Sequence, residues 1–287
     1  MRKVSLLITD LDNTLYDWVS SFVPAFYAMV ERASEILSID QESLLDELRS
    51  VHQRHGNAEH PFALLETKIV AGRLNSLSYD EQRMTLDPAF YAFNSARKRS
   101  LTLYDGVEDT LQAITAAGVP IVAHTDARAP NSLYRIRALG LERYISRLYT
   151  PRQMSASLHL SAPINETDFL RLLPSEDRKP HPKTLIDICK DFGVSPEEAL
   201  YVGDSLSRDI YMASSAGTLS AWARYGTEVD PSMWSRLVRV THWTDADIRR
   251  ESSLKAEASN VRPDETLFKF SDILNAFCFN KSTLPPS

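Results

Sequence analysis

Four short apolar runs, each closed by polar residues, punctuate the chain: VSLLITD from Val4, VPIVAHT from Val119, ALYVGDS from Ala199 and, more weakly, LSAWARY from Leu219. Nearly unbroken apolar runs of this length read as strands of a parallel sheet covered on both faces, because an exposed face would show alternation. Between them, DTLQAITAAG and PKTLIDICKDFG have helical spacing and stop at Gly118 and Gly193, the residue type that a helix C-terminus favours. Strands alternating with such helices predict right-handed βαβ units and a doubly wound, Rossmann-like α/β core.

The first two strands are separated by a long stretch without a strand signal. There Phe22, Phe26, Met29, Val30, Ala33 and Leu37 recur at helical spacing, and SLLDELRSVHQ, PFALLETKIVAG and PAFYAFNSARK suggest further helices. The pattern predicts an all-helical insertion over residues 18–99, with residues 1–17 and 100–287 forming the core. Two segments lack periodicity. Residues 151–178, rich in Ser and Pro at their start, read as an irregular excursion, and RRESSLKAEASNVRPDE reads as a polar loop before a last helix, FSDILNAF.

The 287 residues are enough for a sizeable core, and a net charge of -6 argues against a nucleic-acid backbone or an anionic membrane surface as partner. A small-molecule partner is expected instead. Two cysteines, Cys189 and Cys278, without CxxC spacing suit a reducing cytoplasm better than a disulfide framework. No run approaches the ~20 apolar residues of a membrane span, so the protein reads as soluble and cytoplasmic.

Ligands of open α/β sheets bind beyond the carboxyl ends of the strands, and the polar residues there agree with one another. Asp10, Asp12 and Thr14 follow the first run, Thr125 and Asp126 the second, and Gly203, Asp204 and Asp209 the third; Lys179 opens the helix before that third run. Acids, a hydroxyl and an ammonium at one sheet edge are equipment for holding Mg²⁺ and a phosphoryl group. Asp10 and Asp12 share a face of the extended strand end. An ionised carboxylate is a nucleophile, but an anionic phosphate monoester repels it unless a cation intervenes. Asp10 is therefore read as nucleophile, Asp12 as the acid and base that serves the leaving alkoxide and then the water, and Lys179 and Thr125 as ligands of the phosphate oxygens. Asp10, Asp12, Asp204 and Asp209 are the candidate metal ligands, with Asp209 alternatively a helix cap or ion-pair partner. Asp126 stands beside the phosphate position, where it either selects against highly anionic substrates or caps the following helix.

These residues resemble the four motifs of the haloacid dehalogenase superfamily, in order: DLDNT, the Thr of VAHT, the Lys of KPHP, and GDSLSRD. The resemblance spans about residues 1–17 and 100–225. It implies a Mg²⁺-dependent phosphatase working through an aspartyl-phosphate, with the helical insertion as a C1-type cap. An acid at Asp12 favours phosphate-ester chemistry over dehalogenation, and DLDNTLYD is similar to the opening of nucleotidase-like members. Asp126 in place of Asn, Asp105 in place of Pro and the long 151–178 segment depart from the pattern. The expected substrate is a small phosphorylated metabolite: a nucleoside monophosphate, a sugar phosphate or a small phosphoacid. The alternatives are a phosphomutase of the same family and a non-catalytic phospho-binding or signalling protein.

Other features have simpler readings. An EF-hand at DLDNT fails because Leu15 takes the glycine position and Ser21 the bidentate-glutamate position. Lys183 competes with Lys179, but the KP context favours Lys179. His52, His55 and His60 in VHQRHGNAEHPF match no zinc pattern and read as a turn at Gly56 between helices; the family resemblance implies that one of these histidines or Arg54 reaches the substrate. Arg97, Lys98 and Arg99 suit a solvated helix end. His124 is expected to pack within its strand and Trp18 where the insertion joins the core.

Overall fold

The structure is a computed structural model, and it describes residues 1–60, 62–152 and 164–280. The chain forms two compact units: Met1–Asp17, Thr102–Glu228 and Glu251–Ser287 make one, and Trp18–Leu101 with Val229–Arg250 make the other. The 229–250 segment, expected in the core, belongs with the helical residues. Its helix has an apolar stripe that the sequence reading did not use: Leu237 and Val240 are buried in the same cluster as Phe22, Phe26 and Leu48.

The first unit holds a seven-stranded sheet. Its strands are β1 (Leu6–Thr9), β2 (Ile121–His124), β3 (Ile145–Pro151), β4 (Leu170–Leu173), β5 (Ala199–Gly203), β6 (Leu219–Ala223) and β7 (Glu265–Leu267). They lie in the order β4-β3-β2-β1-β5-β6-β7, and every pairing is parallel. This is the doubly wound α/β arrangement that the apolar runs imply. β1, β2 and β5 are buried along their whole length, as continuous apolar strands require. Two further strands, Arg2–Val4 and Phe277–Phe279, pair in parallel outside that sheet.

Three expectations change. β4 sits inside the segment read as irregular; residues 153–163 of that segment lie outside the described residues. The first half of the segment read as a polar loop near the C-terminus, residues 249–257, is the end of a helix, Asp245–Glu257. The last expected helix is a short turn, Phe270–Asp272, then four helical residues, Ile273–Ala276, ending in the Phe277–Phe279 strand.

The second unit is built on α1 (Trp18–Leu37), α2 (Gln41–His55), α3 (Asp87–Ser100) and α4 (Pro231–Val240). Phe22, Phe26, Met29, Val30, Ala33 and Leu37 are all buried on one face of α1. At roughly 1.5–3 kcal/mol for each large apolar side chain, that face is what holds the helix in place. Asp40 caps α2 by accepting from the Ser43 amide at 2.9 Å, and Gly56 ends it in the left-handed region at φ 57°. PFALLETKIVAG, read as one helix, breaks at Thr67, whose hydroxyl turns back to accept from the Val70 amide at 3.3 Å.

Candidate active site

Register places the site. Thr9 on β1 lies opposite Ala123 on β2 and Val202 on β5, so the residues just beyond, Asp10, Thr125 and Asp204, leave the sheet at one level. The Asp10 amide donates to the Val202 carbonyl at 2.8 Å, which carries the ladder one residue past β1. The chain then folds on itself: the Thr14 and Leu15 amides both donate to the Leu11 carbonyl, and Asn13 takes a left-handed φ of 56°. Gly226 lies against this turn so closely that a Cβ there would overlap the Asn13 carbonyl oxygen. The neighbouring Tyr225 hydroxyl donates to the Thr14 carbonyl at 2.6 Å.

Lys179 is the centre of the charge arrangement. Its buried Nζ lies 2.7 Å from Asp10 Oδ1 and 2.9 Å from Asp209 Oδ1. Its own backbone amide donates to Asp126 Oδ1 at 3.2 Å, so Asp126 braces the lysine from behind. Lys183 instead pairs with Asp187 on the exposed face of its helix. Asp209 is almost fully buried; it accepts from the Ser205 amide at 3.0 Å and from the Tyr201 hydroxyl at 3.2 Å. Gly203 is required there, since a Cβ would overlap the Asp209 carboxyl group. Asp204 has its carbonyl fixed by Trp222 Nε1 at 2.8 Å.

Carboxylate oxygens of Asp10, Asp204 and Asp209 all fall within 4.8 Å of one another. Burial lifts Asp10 to about 7 against the pull of Lys179, and Asp209 adds to the lift. Burial also raises Asp204 well above the usual carboxylate range, with Asp209 and Asp10 contributing. Burial alone would depress the Lys179 ammonium, but Asp10 and Asp209 outweigh it and hold its pKa well above the ordinary value. One ammonium among three acids leaves the group short of positive charge. A hard divalent cation with oxygen ligands fits that deficit.

The other candidates fall in two sets. Thr125 is buried, and its Oγ1 accepts from the Ala127 amide at 3.1 Å, which leaves its proton to donate elsewhere. Asp12 does not join the three converging acids: both of its oxygens face the Arg135 guanidinium, at 3.0 and 3.2 Å. Arg135 is itself buried and was not anticipated, because an arginine on an amphipathic helix reads as solvent-facing. His124 is fully buried in β2, and burial, followed by Lys179, holds its pKa well below the ordinary range.

The model of the haloacid dehalogenase-like hydrolases matches residues 4–217, and the chain belongs to that family. It is similar to the glyceraldehyde 3-phosphate phosphatase of Methanopyrus kandleri, at 27% identity over 79% of this chain and 87% of the relative. The N-acetylmuramic acid 6-phosphate phosphatase of Pseudomonas aeruginosa is 24% identical over 84% of this chain and 92% of its own. Among solved structures, a 2-haloacid dehalogenase from Pseudomonas syringae pv. Tomato matches with TM-score 0.56 and 20% identity over 96% of this chain and 98% of that one. A haloacid dehalogenase-type phosphatase from Thermococcus onnurineus matches with TM-score 0.55 and 18% identity, over 96% and 97%. The structural likenesses establish the fold. The chain is thus a hydrolase of this family, and the sequence relatives are phosphoric monoester hydrolases by name.

Proposed function

We propose that the protein is a Mg²⁺-dependent phosphatase of small phosphorylated metabolites that works through an aspartyl-phosphate on Asp10. The observation that carries this reading is the buried group in which Lys179 bridges Asp10 and Asp209 while Asp204 converges on the same point. Relatives named for glyceraldehyde 3-phosphate and N-acetylmuramic acid 6-phosphate support a small phosphomonoester as substrate.

In this mechanism an Asp10 carboxylate oxygen attacks phosphorus, a P–O bond forms to Asp10, and the bond to the substrate oxygen breaks. Asp12 gives the departing alkoxide a proton, then takes one from the water that cleaves the aspartyl-phosphate and releases inorganic phosphate. Asp10, Asp204 and Asp209 would hold the Mg²⁺, which offsets the repulsion between nucleophile and phosphate. The Lys179 ammonium and the Thr125 hydroxyl stabilise the phosphoryl oxygens in a site already organised before substrate arrives. Arg135 aims the Asp12 carboxylate, and Asp126 fixes the backbone of Lys179.

The test is phosphate release from a panel of phosphomonoesters, with Mg²⁺ or EDTA, for wild type and Asp10→Asn. Metal-dependent release that disappears in the variant is the expected result. Undiminished release by Asp10→Asn, or release indifferent to EDTA, would refute the proposal.

A further inference from the structure

Two of the three converging acids stand on uncommon backbone. Asp204 follows β5, and Leu206–Ile210 then form a wide, π-type turn that carries Asp209. The Asp209 and Ile210 amides both donate to the Ser205 carbonyl, at 2.9 and 3.1 Å, and the Arg208 amide donates to Ser205 Oγ at 3.3 Å. Wide turns of this kind are rare and concentrate at functional sites. This one must hold Asp209 beside Asp10 and Asp204, and repulsion among carboxylates favours any motion that separates them.

Support reaches the turn from the C-terminal segment. Glu251, on the helix Asp245–Glu257, commits both carboxylate oxygens to two successive turn residues. Its Oε1 accepts from Ser207 Oγ at 3.2 Å, and its Oε2 accepts from Arg208 Nε at 3.2 Å and from Arg208 Nη2 at 2.7 Å. Ser207 is buried, and the Glu251 side chain is 25% exposed. From this geometry we infer that Glu251 is a positioning residue of the phosphatase reaction: it grips Ser207 and Arg208 and so fixes the turn that presents Asp204 and Asp209 to the metal and to Asp10. The inference rests on the proposed function for the metal and the reaction, and on the contacts of Glu251 for the rest.

Glu251 lies beyond residues 4–217, the part of the chain that matches the family, so this role belongs to the chain's own C-terminal segment and not to the four motifs. A partly exposed ion pair contributes little to stability by itself. Its value here is geometric. The charge-assisted bonds to Arg208 hold the residue next to Asp209, and the bond to Ser207 adds a second point, so the carboxylate limits both translation and rotation of the turn. Burial would lower the Arg208 pKa, but the Glu251 carboxylate outweighs it and holds the pKa above the ordinary value, with Asp126 and Asp209 acting in the same direction. The guanidinium thus stands between the Glu251 contact and the acids of the site.

The test uses the full chain stripped of divalent metal. Hydrogen exchange is followed at the Asp209 and Ile210 amides, and Mg²⁺ is then titrated by calorimetry without substrate. Glu251→Ala should speed exchange at both amides and weaken Mg²⁺ at least about tenfold, as loss of a partner behind a metal ligand does. Glu251→Gln keeps the shape and one acceptor, and should fall between wild type and Glu251→Ala. Arg208→Ala should weaken Mg²⁺ to a similar degree, and the double variant little further, because the two residues form one contact. In turnover, the Mg²⁺ needed for half-maximal phosphate release should rise while kcat at saturating Mg²⁺ and KM stay within about threefold of wild type. Unchanged exchange, or a lowered melting temperature with Mg²⁺ affinity within about twofold of wild type, would overturn the inference and leave Glu251 a merely structural residue. A wild type that binds no Mg²⁺ or releases no phosphate refutes the proposed function instead, and exchange in the metal-free chain still decides whether Glu251 grips the turn.

Discussion

The Asp10 group and the buried histidines of the helical unit solve the problem of buried polarity in opposite ways. At the sheet edge three carboxylates gather around one ammonium, and long-range strand register brings residues as far apart as 10 and 209 together. In the helical unit the buried titratable groups among the described residues are imidazoles: His52 and His60 are almost fully buried, and Glu66, which His60 faces, is close in sequence. A crowd of like charges at a rigid sheet edge stores a demand for a cation. Buried imidazoles impose a demand on pH instead, since each must stay neutral or find a partner.

The largest expected effect tests the first half of this contrast. Asp10→Asn should lower phosphate release by at least about 10³-fold, the scale expected when a nucleophile is removed. Because it also removes one of three close carboxylates, the variant should keep or gain stability without metal while its Mg²⁺-induced rise in melting temperature shrinks. A loss of stability equal to the loss of activity would show that the group is structural.

His52 tests the other half. Its Nδ1 lies 2.7 Å from the Val240 carbonyl, so that nitrogen must carry a proton and donate, and neutral imidazole satisfies the bond. Burial lowers its pKa from 6.5 to about 4, although the bond to Val240 opposes the shift. The unfolded chain thus binds a proton that the folded chain refuses. Stability is fully present above about 6.5 and is lost as pH falls toward about 4, by up to about 3 kcal/mol. Chemical denaturation of wild type and His52→Gln across that window should show the wild type losing more; parallel curves would break the contrast.

Gly203→Ala should cost about 1–3 kcal/mol, because its Cβ must displace the Asp209 carboxyl within a packed strand end. Mg²⁺ affinity should fall with it, read from the metal dependence of the melting temperature. A variant of wild-type stability would mean that the sheet edge is softer than its register suggests.

What was legible in the sequence follows the same division. β1, β2 and β5 are buried on both faces, so their composition announced them, and Asp10, Thr125 and Asp204 were findable as the first polar residues after each. β4 and β7 sit at the sheet's two edges, short and only partly buried, and left no apolar run. The helix Asp245–Glu257 has no buried residue and therefore no stripe to read. Glu66 was hidden inside what read as one continuous helix, so the partner that joins His55 and His60 was missed. Arg135 was invisible for a related reason: only tertiary packing tells an inward arginine from a solvated one.

Arg135 also supplies the smallest effect and the finest test of how the sheet edge works. Its guanidinium contacts both Asp12 oxygens and its side chain is 5% exposed, so under the proposed mechanism its effect on chemistry runs through the direction in which Asp12 points. Arg135→Gln should reduce kcat by about tenfold, the lower end of what a removed orienting partner costs, while KM stays within a factor of about two. Arg135→Lys keeps the charge but not the planar fork, and should recover part of kcat. If KM rose while kcat held, Arg135 would be contacting substrate and the site would extend further along its helix. If both parameters were unchanged, Asp12 would be positioned by the Leu11–Leu15 turn alone, and the local backbone would carry the alignment now ascribed to a buried ion pair.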